Sequence, residues 1–213
     1  MGDSLKNSFG RFIEGLGGRY ITAEDVGTSI KDMDHVRMET KYVTGISKSL
    51  GGSGDPSLLT SFGTYLGIKA SVKFKYKKDS LDGLSIVVQG LGSVGMELVK
   101  YLSQDGMKIF AYDIDSERLS LAKEEYGVIP IGEDEVYDQD IDIYAPCALG
   151  ATINDETIPR LKCKIIAGAA NNVLKNPDMH AKELLHRGIL YAPDYAINAG
   201  GLINVYNELD DYN

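Results

Sequence analysis

A glycine-rich turn at residues 90–95 is the part of the sequence whose spacing best fits the binding of a ligand. The apolar run Leu-Ser-Ile-Val-Val-Gln leads there into Gly-Leu-Gly-Ser-Val-Gly, which fits the pattern G-x-G-x-x-G. In this pattern the first glycine forms a tight turn, the second lets a pyrophosphate approach the backbone, and the third lets the next helix pack closely. The helix start offers N–H groups and the positive end of its dipole to the phosphates. The predicted dinucleotide contacts are Gly90, Leu91, Gly92, Ser93, Val94 and Gly95.

Asp113 stands 23 residues after Gly90, at the end of the next apolar run. A carboxylate at this place can accept hydrogen bonds from the adenosine ribose, and it would repel a 2′-phosphate, so it favours NAD as the cofactor. Because 24 glycines produce chance matches, the alternative is a glycine turn that only closes a strand–helix unit. The strand, helix and aspartate in register favour binding. We predict that Asp115 caps the following helix rather than forming a second ribose contact.

The elements that must position these residues alternate regularly from residue 57 onward. Apolar periodicity predicts strands at 84–89, 108–112, 141–145, 164–167 and 189–191, and helices at 57–75, 93–104, 116–126, 179–186 and 200–209. Before residue 57 it predicts helices at 9–16 and 28–38, a strand at 19–22 and a glycine-rich loop at 45–56. Short apolar strands between amphipathic helices are typical of α/β proteins, so we expect a Rossmann-type doubly wound parallel sheet.

Composition excludes several classes of function. The net charge of −9 argues against nucleic acid as a partner, because phosphate binding requires a basic face. Two cysteines are too few for a disulfide framework and fit a reducing cytoplasm. The apolar runs are too short to span a membrane, and the polar start shows no export signal, so a soluble cytoplasmic protein is expected. The three histidines lack metal-ligand spacing and are predicted to lie on helix surfaces, so no metal site is predicted.

Small residues follow three of the predicted strands, where ligands of open α/β sheets bind. They form the segments Ala-Pro-Cys-Ala-Leu-Gly at 145–150, Ala-Gly-Ala-Ala-Asn-Asn at 167–172 and Ala-Pro-Asp-Tyr-Ala-Ile-Asn-Ala-Gly-Gly at 192–201. Small side chains would let a flat ring approach the backbone. Each segment alone is explained equally well by turn formation, because asparagine is a common turn and cap residue.

Two carboxylates occur in the segment Thr-Ala-Glu-Asp-Val-Gly-Thr at 22–28, between a predicted strand and a predicted helix. The pattern alone favours a structural role, in which Asp25 or Thr28 caps the helix by accepting backbone N–H bonds. A catalytic carboxylate is the alternative.

Taken together, these segments resemble the amino acid dehydrogenases of the glutamate, leucine, phenylalanine and valine group. The resemblance covers nearly the whole chain and is carried by residues 18–28, 42–47, 145–150 and 191–201. It implies reversible oxidative deamination: an L-amino acid, water and NAD give the 2-oxo acid, ammonia and NADH. A branched-chain substrate, leucine, is implied before valine, phenylalanine or glutamate.

The resemblance also implies roles for individual residues. Asp25 matches the active-site aspartate of the family, a buried carboxylate that assists proton transfer, which replaces the capping interpretation. Asn198 matches a residue that contacts the amino acid, and Thr60 a threonine near the nicotinamide. Ala148, Ala170 and Asn171 match segments that border the ring and ribose of the cofactor.

The resemblance implies departures from the family at both ends of the sequence: relatives continue past Asn213 into further helices, and they begin earlier. Family members carry two active-site lysines, for the substrate carboxylate and for acid–base catalysis, in a segment that would precede Gly10. We therefore expect a remnant of a substrate domain at 1–45, a hinge loop at 46–56 and an NAD-binding domain at 57–213. The expectation that follows is a fragment, inactive alone, of an enzyme that is a homo-oligomer when complete. A dinucleotide-binding module without catalysis is the alternative.

Overall fold

The computed structural model of the chain describes residues 2–25 and 27–210. It divides into two compact units, of which the first contains the residues up to 56 together with those from 201 onward. The second unit contains residues 57–200. Residues 201–210, which were predicted to belong to the NAD-binding domain, thus group with the first unit, and residues 211–213 of that predicted domain lie outside the described residues.

The second unit is built on a parallel sheet, as predicted, but the sheet has six strands where the sequence predicted five. Its spatial order is β3-β2-β1-β4-β5-β6, the order of a doubly wound dinucleotide-binding fold. The strands are β1 Ser85–Gln89, β2 Lys108–Tyr112, β3 Ile129–Pro130, β4 Ile143–Pro146, β5 Ile165–Ile166 and β6 Leu190–Tyr191. The helices that begin in this unit are α3 Ser57–Tyr76, α4 Ser93–Gln104, α5 Ser116–Tyr126, α6 Pro177–His186, α7 Asp194–Ile197 and α8 Ala199–Tyr206. Short 3-10 turns cover Glu133–Glu135 and Ile158–Arg160.

The central strand β1 shows why the sheet needs helices on both sides. Successive side chains of a strand point to opposite faces. Ile86 and Val88 belong to the apolar cluster that also contains Leu98 of α4, whereas Val87 belongs to a second cluster that contains Leu184 of α6. Because β1 is buried on both faces, its position is fixed and its carboxyl end is held at the centre of the sheet edge.

The first unit contains α1 Asp3–Gly15, α2 Ile30–Arg37 and 3-10 turns at Lys48–Leu50 and Asn207–Asp210. The predicted strand at 19–22 was wrong, because only Thr22 forms a bridge, to Val43. Ser29 caps α2 through a reciprocal pair with Asp32, so neither Asp25 nor Thr28 is the cap.

The glycine-rich loop of the first unit is held by Glu208. The Glu208 carboxylate accepts hydrogen bonds from the N–H groups of Gly45 at 3.0 Å and Ser53 at 2.8 Å, and from the Ser53 hydroxyl. A buried or partly buried carboxylate that accepts several N–H bonds is strongly held. This loop is therefore tied at both ends to the segment that follows α8.

Two further predictions need correction. His180 is buried rather than on the helix surface, because its side of α6 faces the cluster around Leu184. The helix predicted at 200–209 begins at Ala199 and gives way to a 3-10 turn after Tyr206.

No helix in the described part of the chain has the length and apolar character needed to cross a bilayer.

Candidate functional site

The glycine turn after β1 gives each of its three glycines a different environment. Gly90 has a φ of +100°, a conformation that side chains disfavour, and a Cβ there would lie 2.8 Å from the Ala148 Cβ. A Cβ on Gly95 would lie 2.0 Å from the Gly90 carbonyl oxygen, so this glycine lets α4 pack against the turn. At Gly92, by contrast, no described heavy atom lies within 4 Å of the Cβ position. The space beside Gly92 is thus open for a ligand.

The start of α4 faces this open position. Gly92 is the N-cap of α4 and has no side chain with which to satisfy the first N–H groups of the helix. Leu91 is buried, whereas Ser93 is exposed at the first helical position. Helix starts of this kind bind anions through N–H groups and the helix dipole, so the turn fits a pyrophosphate.

Asp113 has a structural role that the sequence did not predict. It is 9% exposed, and its two carboxylate oxygens accept hydrogen bonds from the N–H groups of Leu91 at 2.5 Å and Asp115 at 2.8 Å. It thereby joins the turn to the end of β2. Each carboxylate oxygen can accept a second bond, so contact with a ribose hydroxyl is still possible. Asp115 caps α5, as predicted, by accepting the Glu117 N–H at 2.9 Å.

A cavity of about 370 Å³, here called the turn cavity, lies against Gly90, Gly92 and Asp113. It is also lined by Cys147, the predicted Ala148 and Leu149 of the segment 145–150, and by residues that were not predicted to contact a ligand, namely Gln89, Tyr112, Ile114, Arg118, Glu133 and Thr152. Glu133 follows β3, which the sequence analysis missed, so no pattern placed it at this sheet edge. Arg118 lies in the first turn of α5, and no motif in the sequence indicated that it would line a cavity.

The loops after β4 and β5 bring further predicted residues together within the second unit. The Asn198 side-chain amide donates to the Ala169 carbonyl at 3.1 Å and to the Asn171 side-chain oxygen. The Ala170 N–H donates to the Pro146 carbonyl at 2.9 Å, which joins the two strand ends.

Thr60 lies in the first turn of α3, close to the same group of residues. Its backbone nitrogen is 3.4 Å from the position of a Cβ on Gly200, two residues after Asn198. Thr60 therefore lies beside Gly200, whereas Asn171 and Asn198 contact each other, and a ligand shared by the three residues stays a prediction.

Asp25 belongs to the first unit, and its predicted burial was wrong because its side chain is exposed. The Asp25 carbonyl accepts hydrogen bonds from the Thr28 N–H at 2.9 Å and the Thr28 hydroxyl at 2.7 Å. The Asp25 N–H donates to the same hydroxyl at 2.8 Å. This closed turn satisfies the backbone locally, and an exposed carboxylate avoids the cost of desolvation.

A second cavity, of about 370 Å³, lies beside Asp25 within the first unit. It is lined by the charged residues Lys6, Glu24, Asp25 and Asp32 and by Phe9, Tyr20, Ile21, Thr22, Ala23, Thr28, Met33 and Val36. Lys6, which the sequence analysis did not single out, is 8% exposed and lies 2.7 Å from Asp32. The hydrogen bond from Lys6 lowers the pKa of Asp32 to about 2.

Glu24 is the least satisfied carboxylate of this cavity. Its Oε2 atom is buried, and no hydrogen-bond partner for it is present among the described residues. Burial raises the pKa of Glu24 above its ordinary value, and the negative charges of Asp55 and Asp32 raise it further. A carboxyl group of this kind takes up a proton more readily than an exposed one.

Comparison with known proteins agrees with this geometry. The family model described as Glutamate/Leucine/Phenylalanine/Valine dehydrogenase matches residues 114–212. Leucine dehydrogenase of Thermoactinomyces intermedius is 53% identical over 99% of this chain and 57% of its own length. Valine dehydrogenase of Streptomyces albus is 43% identical over 99% of this chain and 58% of its own length.

Among solved structures, L-tryptophan dehydrogenase from Nostoc punctiforme superposes with a TM-score of 0.84 and 44% identity, covering 100% of this chain and 60% of that chain. The chain thus spans less than two thirds of the length of these relatives. In its parallel sheet, its three-glycine turn and its sequence over nearly its whole length, the chain is therefore similar to dehydrogenases of the glutamate, leucine, phenylalanine and valine group.

Proposed function

We propose that this chain carries the cofactor-binding part of an NAD-dependent dehydrogenase that deaminates a branched-chain L-amino acid, leucine. The observation that carries the proposal is the turn in which Gly92 is open while Gly90 and Gly95 are closely packed. The identity of 53% to a leucine dehydrogenase, against 43% to a valine dehydrogenase, supports leucine as the substrate.

NAD would be held by the turn and by the sheet edge. The N–H groups at the start of α4 would bind the pyrophosphate, and Asp113 would accept a ribose hydroxyl while keeping its bonds to Leu91 and Asp115. Ala148 would border the cofactor beside Gly90. When bound, NAD supplies a nicotinamide ring that accepts hydride from the α-carbon of the amino acid.

The remaining chemistry is proton transfer and orientation. In the proposed reaction Asp25 assists the transfer of a proton to and from the water that attacks the imine, and Asn198 orients the amino acid. Asn198 is suited to this, because its amide is fixed by Ala169 and Asn171. The two lysines that the family resemblance implies would clamp the substrate carboxylate and act as acid and base. They are not supplied by Lys6, whose ammonium group is paired with Asp32.

The first test separates binding from turnover. We expect the 213-residue chain to bind NADH in a calorimetric or fluorescence titration, and to release no NADH from NAD with leucine, valine or phenylalanine at high concentration. Positioning of substrate and catalytic groups contributes roughly 7–11 kcal/mol in favourable cases, and it requires the substrate clamp. Clear turnover by the chain alone would show that the acid–base group lies within these 213 residues and would refute the proposed need for the two lysines. Absence of NADH binding would refute the proposed cofactor site.

The second test concerns the choice of cofactor. Wild-type protein should bind NADH at least about tenfold more tightly than NADPH, which corresponds to ~1.4 kcal/mol, since Asp113 would face the 2′-phosphate. In Asp113→Ala this preference should fall. Equal affinities in the wild type would refute the ribose role of Asp113. If a chain extended to the full length of its relatives binds NADH but deaminates no amino acid, a non-catalytic binding module becomes the better interpretation.

A further inference from the structure

The charges around the turn cavity are distributed in a way that bears on cofactor choice. Asp113 and Glu133 contribute two carboxylates to the lining, and Arg118 contributes one guanidinium. Arg118 is directed in part toward its own helix start, since its Nε atom lies 3.3 Å from the Asp115 carboxylate. Arginine binds phosphate well, so an unopposed Arg118 at this place would favour a ligand with an additional phosphate.

Glu133, which also lines the cavity, contributes a negative charge that opposes this effect. It opens the 3-10 turn Glu133–Glu135 that follows β3, and its side chain is exposed. The hydroxyl of Tyr112 donates a hydrogen bond to Glu133 Oε2 at 3.2 Å, which orients the carboxylate beside the end of β2. Tyr112 immediately precedes Asp113, so the two carboxylates lie at the same strand end.

We propose that Glu133 is a second residue, besides Asp113, that determines the preference for NAD over NADP, because its charge disfavours a dinucleotide with a 2′-phosphate. This proposal rests on the proposed NAD site. Asp113 is nearly buried and has a backbone N–H bond to each oxygen, which offsets part of its charge. Glu133 accepts only a neutral phenol hydroxyl in the hydrogen bonds described for it, so no backbone N–H group offsets its charge, although solvent screens it because its side chain is exposed. A 2′-phosphate carries about two negative charges at neutral pH and would be repelled.

The test is the ratio of NADP to NAD dissociation constants in Glu133→Gln, which removes the charge and keeps the shape. For partly solvated charges, pair energies below about 1 kcal/mol predict a change of about threefold in favour of NADP. Asp134→Asn is the matched control, because it removes the same charge from the same turn at a residue outside the cavity lining. It should leave the ratio unchanged.

The salt dependence of this ratio distinguishes an electrostatic role of Glu133 from a purely structural one. Salt ions screen the interaction between two charges beyond about 10 Å at 0.1 M salt and beyond about 3 Å at 1 M. The difference in the NADP-to-NAD ratio between wild type and Glu133→Gln should therefore shrink at high salt. Equal ratios in wild type and Glu133→Gln at low salt, or the same change in the Asp134→Asn control, would overturn the role of Glu133. Failure of the wild type to bind either cofactor would instead overturn the proposed function, so the two failures are distinguishable.

Discussion

Replacing Gly92 by alanine should separate ligand binding from folding. Gly92 has a φ of −65° and a ψ of −170°, which alanine adopts without strain, and its Cβ would meet no described atom within 4 Å. Alanine is a poorer N-cap than glycine, but it also lowers the entropy of the unfolded chain, and each effect is below about 1 kcal/mol. We therefore expect the free energy of unfolding to change by less than about 0.5 kcal/mol.

The same methyl group should strongly weaken cofactor binding. If a pyrophosphate approaches the backbone at Gly92, the added Cβ occupies the space of a phosphate oxygen, and the affinity for NADH should fall at least about tenfold, or ~1.4 kcal/mol. Calorimetric titration with NADH measures this loss, and thermal unfolding followed by circular dichroism measures stability on the same samples.

Gly95→Ala is the matched comparison, because the same methyl group meets a different environment. Its Cβ would lie 2.0 Å from the Gly90 carbonyl oxygen, a backbone atom that can move only with the turn. Overpacking of this kind costs up to about 3 kcal/mol, which lowers the melting temperature by roughly 6–12 °C. A Gly92→Ala protein that binds NADH as tightly as the wild type would refute the assignment of the pyrophosphate to this turn.

Three further predictions concern the first unit. In a chain extended to the full length of its relatives, Asp25→Asn should lower kcat by about 10²-fold while unfolding little earlier; early unfolding with normal kcat would make Asp25 structural. Because burial raises the pKa of Glu24 above its ordinary value, its charged form destabilises the folded state, so Glu24→Gln should raise the free energy of unfolding at pH 7. This gain should disappear at a pH low enough to protonate Glu24 in both the folded and the unfolded protein, and it should be absent in the exposed control Glu124→Gln. Glu208→Gln should speed amide exchange in the loop 45–53 and lower the free energy of unfolding by about 1–2 kcal/mol. Unchanged amide exchange would show that Glu208 does not hold this loop.

The glycine turn was predictable from sequence because its requirements are local. A strand of apolar residues, three glycines at fixed spacing and an amphipathic helix are each encoded within a few residues of one another. The parallel sheet followed for a related reason, since short apolar strands that alternate with helices can be buried only between helix layers. The cap at Asp115 was confirmed on the same local grounds.

Positions that depend on distant parts of the chain were decided only by the tertiary structure. Glu133 reaches the turn cavity through β3, a strand of two residues with too little apolar pattern to be recognised alone. Lys6 is buried because α1 places it against Asp32, 26 residues later, an ion pair that neither residue predicts separately. Glu208 likewise meets its partners across more than 150 positions of sequence.

The exposure of the Asp25 side chain shows most clearly that burial cannot be predicted from local sequence. Sequence and resemblance identify an aspartate in a motif, but burial depends on which atoms of other segments cover it, and the described residues leave its side chain exposed. Local sequence therefore determined which residues form the turn, the strands and the caps of this protein. Tertiary packing alone decided which charges meet at each cavity, because burial and Coulomb interactions depend on distances between segments that are far apart in the chain.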